Sequence, residues 1–192
     1  MHLRVNYIGP VLYAQGPGKR YTIWVQGCSI HCPGCSNVDT WDSTKGTLRS
    51  VDELVREILT KYERKEIDGV TITGGEPLDQ FAPVHELCRR VFALHKRLIG
   101  AALRPVSIFM TTGYTMARIH QREQDSILNL LDIICAGPFV QSQVCSGEYK
   151  GSSNQEVYAL TELGREQLTW PKVLKEVIIA PNGGAIETGF TA

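Results

Sequence analysis

The chain has 192 residues, of which 43% are hydrophobic, so it is long enough for one domain with a substantial core. Its 20 Lys and Arg residues balance its 20 Asp and Glu residues, and this zero net charge argues against nucleic acid as the main partner. No apolar run has the length of a membrane span, and the N-terminus lacks the apolar stretch of a secretory signal. We therefore predict a cytoplasmic protein with no membrane partner.

The first third of the chain predicts a strand, a cysteine-rich loop and a helix, in that order. Tyr21–Gln26 is β-branched and aromatic, which is typical of a strand, and it runs almost directly into Cys28. Ser50–Tyr62 has apolar residues at helical spacing, and Ser50 and Glu53 form a capping-box pair at its start. The cysteine-rich loop is therefore predicted to begin at the carboxyl end of a strand.

The middle of the chain continues to alternate between strands and helices. The predicted elements are the strand Val70–Thr73, the helix Val84–Leu98, the strand Val106–Thr111, a broken helical region from Thr115 to Leu131 and the strand Ile133–Ala136. Such alternation predicts parallel strands joined by crossovers, and four units make an open, partial parallel β/α barrel of the α/β class rather than a closed eight-fold one. The carboxyl edge of such a sheet is where binding sites are built.

The C-terminal part of the chain has a different pattern. Its predicted elements are the strands Val157–Leu160 and Val177–Ala180, a turn at Pro181–Gly184 and a returning strand at Ala185–Phe190. We therefore predict a core domain over residues 1–155 and a small C-terminal β extension over residues 156–192 that packs on the same domain.

Three of the six cysteines are clustered within eight residues. In a reducing compartment, clustered cysteines more often bind metal than form disulfides. Cys28, Cys32 and Cys35 could hold three irons of a four-iron, four-sulfur cube and leave the fourth iron open to a substrate or cofactor. A tetrahedral zinc site with His31 as fourth ligand, and a set of merely buried cysteines, are the alternatives that these residues leave open. Two isolated cysteines are predicted to be small buried residues: Cys88 and Cys135.

A second motif, Gly74-Gly75-Glu76-Pro77, follows a predicted strand. Two glycines let a ligand approach the backbone closely, and Glu76 adds an acceptor, which suits an α-amino group with its three donors. Taken alone, the motif is more typical of an ordinary turn between a strand and a helix. Its position after the cysteine cluster is what favours a binding role.

The cysteine spacing and the Gly-Gly-Glu-Pro motif resemble those of the radical S-adenosylmethionine superfamily. A narrower set of motifs is similar to the anaerobic ribonucleotide reductase-activating proteins, in that family's order along the chain. The set comprises Gln15–Arg20, Val25–Cys28, Cys32–Cys35, Asn37, Thr40–Trp41, Thr112–Tyr114, Gly137–Phe139 and Gly151–Gln155. Ser36 and Ala136 depart from the pattern, and the tail after about Gln155 matches no part of it.

The resemblance implies one [4Fe-4S] cluster held by Cys28, Cys32 and Cys35, with S-adenosylmethionine on the open iron. The residues implied to bind the cofactor are Gly34, Cys35, Ser36, Gly74, Gly75, Glu76, Thr112 and Gly113. Tyr114 is expected either to touch the nucleoside or to serve as an aromatic residue at an interface. Trp41 is expected to pack over the cysteine loop, and His31 to lie near the cluster without binding it.

The same resemblance implies the reaction and the partners. An external reductant, such as a flavodoxin, delivers one electron that cleaves S-adenosylmethionine into methionine and a 5′-deoxyadenosyl radical. The radical takes a hydrogen atom from a glycine Cα of a glycyl-radical enzyme, expected here to be the large subunit of anaerobic ribonucleotide reductase. No catalytic residue is implied beyond the cluster and the cofactor. A radical enzyme that acts directly on a small molecule or peptide, and a non-catalytic metal binder, are the alternatives.

Overall fold

The computed structural model describes residues 1–100, 103–173, 175–179 and 184–189. Its strands are β1 (His2–Ile8), β2 (Arg20–Val25), β3 (Thr47–Ser50), β4 (Gly69–Gly74), β5 (Ser107–Thr112), β6 (Ile133–Ala136), β7 (Glu156–Ala159), β8 (Lys175–Ile179) and β9 (Ala185–Gly189). Its α-helices are α1 (Val51–Glu63), α2 (Phe81–Gly100), α3 (Met116–Gln121) and α4 (Glu162–Gln167). The fold is mixed α/β, as predicted.

The central sheet has seven strands in the order β3-β1-β2-β4-β5-β6-β7. β2, β4, β5 and β6 are parallel neighbours, which confirms the prediction of a parallel core. The flanking strands β1, β3 and β7 are antiparallel, and neither β1 nor β3 was predicted. β8 and β9 form a separate antiparallel hairpin near the predicted positions. The strand ends predicted at Ala180 and Phe190, and residues 181–183 of the predicted turn, lie outside the described residues.

Local capping explains where α1 begins, and a 3-10 helix precedes the start of α2. The Ser50 side chain accepts a hydrogen bond from the amide of Asp52, and Glu53 accepts one from the Ser50 amide at 3.3 Å, so the predicted capping box at the start of α1 is confirmed. α2 begins before the predicted Val84, because a 3-10 helix over Pro77–Gln80 leads directly into it. Among the described residues, no helix combines the length and the apolar character that crossing a bilayer requires.

The two faces of the parallel strands have different roles, because side chains alternate across a sheet. One face packs against α1 and α2 in the main hydrophobic core. Strand residues on that face are Tyr21, Ile23, Val25, Val70, Ile72, Ile108, Met110 and Ile134. The opposite face lines a cavity with Trp24, Thr73, Thr111 and Cys135. The helices therefore stabilise one side of the sheet and leave the other side open to the cavity.

Arg20 is a fully buried cation that ties the loop before β2 to the sheet. Its guanidinium donates to Thr71 Oγ1 at 3.0 Å, Ser107 Oγ at 2.7 Å and the Val70 carbonyl at 2.5 Å, with a longer bond to the Pro17 carbonyl at 3.4 Å. Burial lowers the pKa of Arg20 to about 10. The side chain thus stays protonated at neutral pH and satisfies several buried acceptors at once.

Replacing this cation should destabilise the fold. Arg20→Met leaves buried oxygen acceptors without donors, and we expect the free energy of unfolding to fall by about 3 kcal/mol. Urea denaturation measures the change, with the exposed Arg56→Met as a matched control that should shift stability by less than about 0.5 kcal/mol. Equal losses in the two variants would contradict the role assigned to Arg20.

Candidate active site

A cavity of about 550 Å³ opens at the carboxyl ends of the parallel strands, on the face opposite α1 and α2. The structure brings every residue predicted for the site to the wall of this cavity. These residues are Cys28, Cys32, Gly34, Cys35, Ser36, Gly74, Gly75, Glu76, Thr112 and Gly113. Segments that are far apart in sequence therefore meet at one place. The volume is in the range of small-molecule binding sites, which is about 300 to 1,000 Å³.

The cysteine loop is closed at its base by the backbone. The amide of Gly27 donates to the Thr40 carbonyl at 2.6 Å, and the amide of Cys28 donates to the Trp41 carbonyl at 3.2 Å. The imidazole of His31 is stacked on the Trp41 ring, with 4.6 Å between the ring centroids. His31 is exposed, whereas Trp41 is half-buried and also lines the cavity described above. The expectation that His31 lies near the cluster without binding it stays a prediction.

The three thiols are free and half-buried. Burial raises the pKa of the Cys28 and Cys32 thiols, and backbone amides oppose this shift, including that of Phe139 at Cys32. The amide of Asn37 donates to Cys35 Sγ at 3.4 Å. Amide donors beside sulfur are one way in which proteins tune metal-bound thiolates. Among the described residues, no three Cys, His, Asp or Glu side chains converge on a single metal ion.

Close backbone approach explains two of the glycines. A Cβ on Gly75 would lie 2.2 Å from the carbonyl oxygen of Gly27, at the start of the cysteine loop. The amide of Gly75 also donates to the Val25 carbonyl at 2.9 Å. Gly34 has a left-handed backbone with φ 75°, and a Cβ there would lie 2.6 Å from the Gln141 side chain. A larger residue at Gly75 would clash with the Gly27 backbone, whereas at Gly34 it would displace the Gln141 side chain and strain the left-handed backbone.

The carboxylate of Glu76 joins the ends of two strands. The side chain is buried, and Oε1 accepts from the Leu78 amide at 2.9 Å and from Thr112 Oγ1 at 2.7 Å. Oε2 accepts from the Gly113 amide at 2.8 Å. Burial raises the pKa of Glu76 to about 7, although these three donors favour the ionised form. Glu76 therefore positions the edge of the cavity, and the amino-group contact predicted for it stays a prediction.

Asp79 supports the cysteine loop, a role that the sequence analysis missed. It accepts from the Ser29 amide at 2.7 Å and the Ser29 hydroxyl at 3.1 Å, and the Tyr114 hydroxyl donates to it at 2.5 Å. Tyr114 is fully buried, with the Arg118 guanidinium 4.3 Å from its ring centroid, so a role as an interface aromatic residue is wrong. Asp79 links the cysteine loop to β5, and its place just after the Gly-Gly-Glu-Pro motif was the available signal.

Two further segments reach the cavity. The chain between β6 and β7 contributes Gly137, Phe139, Gln141, Val144, Gly151 and Gln155. Part of this set lies in motifs that the sequence analysis noted without a role. The C-terminal hairpin contributes Glu187, Thr188 and Gly189, for which the sequence carried no signal. Cys88 and Cys135 are buried as predicted, and Cys135 also borders the cavity.

Removing the Asp79 carboxylate should loosen the cysteine loop. The Ser29 amide and the Tyr114 hydroxyl donate to different oxygens of Asp79. Asparagine keeps only one acceptor oxygen, so in Asp79→Asn one of these two donors loses its acceptor. We expect the Ser29 amide to exchange with deuterium about fivefold faster, which corresponds to about 1 kcal/mol. The exposed Asp39→Asn, in the 3-10 helix that follows the cysteine loop, is the control, and equal exchange in both variants would contradict the link.

The buried carboxyl of Glu76 should also give stability a specific pH dependence. Its pKa is about 7 in the folded protein against an ordinary value of 4.5, so the folded state binds this proton more tightly. The resulting stabilisation is full below pH 4.5 and is lost as the pH rises through 7. Relative to Glu76→Gln, the wild-type free energy of unfolding should fall by about 3 kcal/mol over that interval. Urea titrations of both proteins across this range measure it, and parallel profiles would contradict it.

Known proteins show strong similarity to this chain. The family described as a 4Fe-4S single cluster domain matches residues 14–158. The anaerobic ribonucleoside-triphosphate reductase-activating protein of Vibrio cholerae serotype O1 is 30% identical over 159 residues, which cover 79% of this chain and 95% of the relative. The protein of the same name from Enterobacteria phage T4 is 29% identical over 160 residues, which cover 82% and 96%.

A solved structure, that of QueE from Escherichia coli, has a TM-score of 0.42 and 22% identity, over 60% of this chain and 54% of that chain. The match to a single-cluster family decides between the metals that the cysteines had left open, in favour of a [4Fe-4S] cluster over zinc. The chain belongs to the 4Fe-4S single cluster domain family and, within it, groups with the anaerobic ribonucleoside-triphosphate reductase-activating proteins.

Proposed function

We propose that this protein activates an anaerobic ribonucleoside-triphosphate reductase by forming a glycyl radical on it. The observation that supports the proposal is the meeting of the cysteine loop, the Gly-Gly-Glu segment and the end of β5 at one cavity. The match covers nearly the whole length of the relatives that carry the activating-protein name, so the similarity is not confined to the cysteine loop. The alternative of direct action on a small molecule has no such relative among these.

Cys28, Cys32 and Cys35 are the residues that hold the cluster in this proposal. A four-iron cube takes one thiolate per iron, so its ligands need not converge on a single point as they would around zinc. Bound there, the cluster supplies the one electron with which S-adenosylmethionine and a glycine Cα–H become methionine, 5′-deoxyadenosine and a glycyl radical. The protein holds the thiols half-buried, with amide donors beside them.

The remaining residues of the cavity wall position S-adenosylmethionine. The backbone around the third cysteine and the end of β4 offers a narrow edge that lacks Cβ atoms at Gly34, Gly74 and Gly75. Thr112 and Gly113 line the neighbouring edge and are held in place by the Glu76 carboxylate. Two hydroxyls on the sheet face, Thr73 and Thr111, are 2.6 Å apart and give the cavity a polar floor.

Several finer features belong to the same proposal. The four parallel strands act as the open, partial barrel of the radical S-adenosylmethionine type, with the cavity on their inner face. The division into a core over residues 1–155 and an extension over residues 156–192 stays a prediction, and β7 pairs with β6 in the central sheet. A cytoplasmic location and a flavodoxin-like electron donor also stay predictions, as does the absence of a nucleic-acid partner.

An anaerobic assay tests the proposal in two stages. The purified protein is reconstituted with iron and sulfide, reduced with dithionite and given S-adenosylmethionine, and we expect 5′-deoxyadenosine as a product. An anaerobic ribonucleotide reductase is then added, and electron paramagnetic resonance should show a glycyl radical doublet. Cleavage without any doublet would favour direct action on a small molecule or peptide, and no cleavage would overturn the radical chemistry.

Matched cysteine variants test the ligand assignment. Cys32→Ala should lose cluster absorbance and at least about 100-fold of cleavage activity, because an iron loses its thiolate. Cys145→Ala alters a half-buried free cysteine outside the motif and should keep both. Iron content and 5′-deoxyadenosine formation are measured side by side. Full cleavage by the Cys32 variant would contradict the assignment.

A further inference from the structure

The C-terminal hairpin lies beyond the part of the chain that defines the family. The family match ends at residue 158, and β8 and β9 follow it. The relatives named above align over 79% to 82% of this chain but over 95% to 96% of their own length. Nevertheless, three residues of β9 line the same cavity as the cysteine loop. The hairpin is therefore a wall of the site that the family core does not supply.

Hydrogen bonds anchor both strands of the hairpin to the loop before β2. Glu176 Oε2 on β8 accepts from the amides of Tyr13 at 2.7 Å and Ala14 at 2.6 Å. The Gln15 side chain donates to Thr188 Oγ1 on β9 at 2.6 Å. The Gln15 carbonyl in turn accepts from a threonine hydroxyl on β4 at 2.7 Å. The hairpin is thus connected to the sheet and not merely adjacent to it.

The charged side chains that line the cavity, in the part of the chain that the structure describes, are all acidic. Apart from the cysteines, the ionisable side chains that line it within the described residues are two carboxylates, Glu76 and Glu187, with no Lys, Arg or His. The Glu76 carboxylate already accepts three hydrogen bonds from protein donors. Glu187 pairs through Oε1 with Lys175 at 2.6 Å, and its side chain is 56% exposed. Glu187 is therefore the cavity carboxylate with acceptor capacity left for a ligand.

The ligand that such a wall suits is a cation rich in hydrogen-bond donors. S-adenosylmethionine carries a sulfonium, an ammonium group and two ribose hydroxyls, against a single carboxylate. A carboxylate attracts the positive groups and accepts hydrogen bonds from the hydroxyls, as acidic side chains do for ribose in nucleotide sites. The Thr188 hydroxyl accepts from Gln15 and keeps its own proton to donate.

We propose that the C-terminal hairpin forms part of the S-adenosylmethionine site, with Glu187 and Thr188 as binding residues and Glu176 as the residue that anchors them. The inference rests on the proposed function, because it assigns a wall of the same cavity. It assigns a cofactor-binding role to a C-terminal element that the shared family core does not contain. The carboxylate contributes charge and an acceptor, and the hydroxyl contributes a donor.

Calorimetric titration of the reconstituted, unreduced protein tests the proposal without turnover. Glu187→Gln keeps the shape of the side chain and removes its charge, and we expect the Kd for S-adenosylmethionine to rise about fivefold. S-adenosylhomocysteine, with a neutral sulfur, separates the two contacts. A larger loss for S-adenosylmethionine supports contact with the sulfonium, and equal losses support contact with groups that the two molecules share. Unchanged binding of both molecules would overturn the inference.

Lys175→Met is the matched control for the ion pair. It removes the partner of Glu187 and leaves the carboxylate in place, so S-adenosylmethionine should bind as well as to the wild type or more tightly. If this variant lost as much affinity as Glu187→Gln, the ion pair and not a ligand contact would be responsible, and the inference would fall. Wild-type protein that failed to bind S-adenosylmethionine would instead overturn the proposed function itself.

Hydrogen exchange tests the anchor independently of binding and activity. Glu176→Ala removes the acceptor for the amides of Tyr13 and Ala14, so these amides and those of β8 and β9 should exchange at least about fivefold faster. The Kd for S-adenosylmethionine should rise in the same variant. Faster exchange with unchanged affinity would show that the hairpin does not contribute to the site.

Discussion

The buried carboxylate of Glu76 joins the segments at the carboxyl edge of the parallel strands. Glu76, just after β4, accepts hydrogen bonds from Thr112 and Gly113 at the end of β5 and from Leu78 in the 3-10 helix that precedes α2. A carboxylate inside a protein is costly unless donors surround it, so it is satisfied only when these segments meet. Asp79, the residue directly after Leu78, extends the same arrangement to the cysteine loop. The geometry of the cavity therefore depends on a few charge-assisted bonds rather than on apolar packing alone.

Strand geometry explains why one face of the sheet packs in the core and the other lines the cavity. Successive side chains point to opposite faces, so Ile72 packs into the helical core while Thr73, beside it, lines the cavity. The same alternation separates Met110 from Thr111 on the next strand. Of two neighbouring strand residues, one can therefore stabilise the core while the other lines the cavity. Polar residues on the cavity face are tolerated because they face the cavity and not the core.

The loop before β2 connects the core to the C-terminal hairpin. Arg20, at the start of β2, donates to groups on two strands and to the Pro17 carbonyl, and this holds the loop against the sheet. Gln15, in the same loop, bonds to Thr188 on the hairpin. The buried Arg20 side chain therefore supports the C-terminal hairpin indirectly, through the loop before β2. The C-terminal hairpin, which lies outside the family match, can join the cavity because the loop to which it bonds is itself hydrogen-bonded to the sheet.

Local chemistry determined much of this protein in advance. Ser50 and Glu53 specified the start of α1, alternation of apolar segments specified the parallel core, and the strand-forming residues before Cys28 placed the cysteine loop at the carboxyl end of β2. Only the tertiary structure decided that β1 and β3 flank the core antiparallel, that Tyr114 is buried, and that Asp79 binds the cysteine loop. It alone brought the hairpin to the cavity. These outcomes depend on contacts between residues far apart in sequence, and such contacts leave no periodicity or spacing within the local segment for an analysis of the sequence to detect.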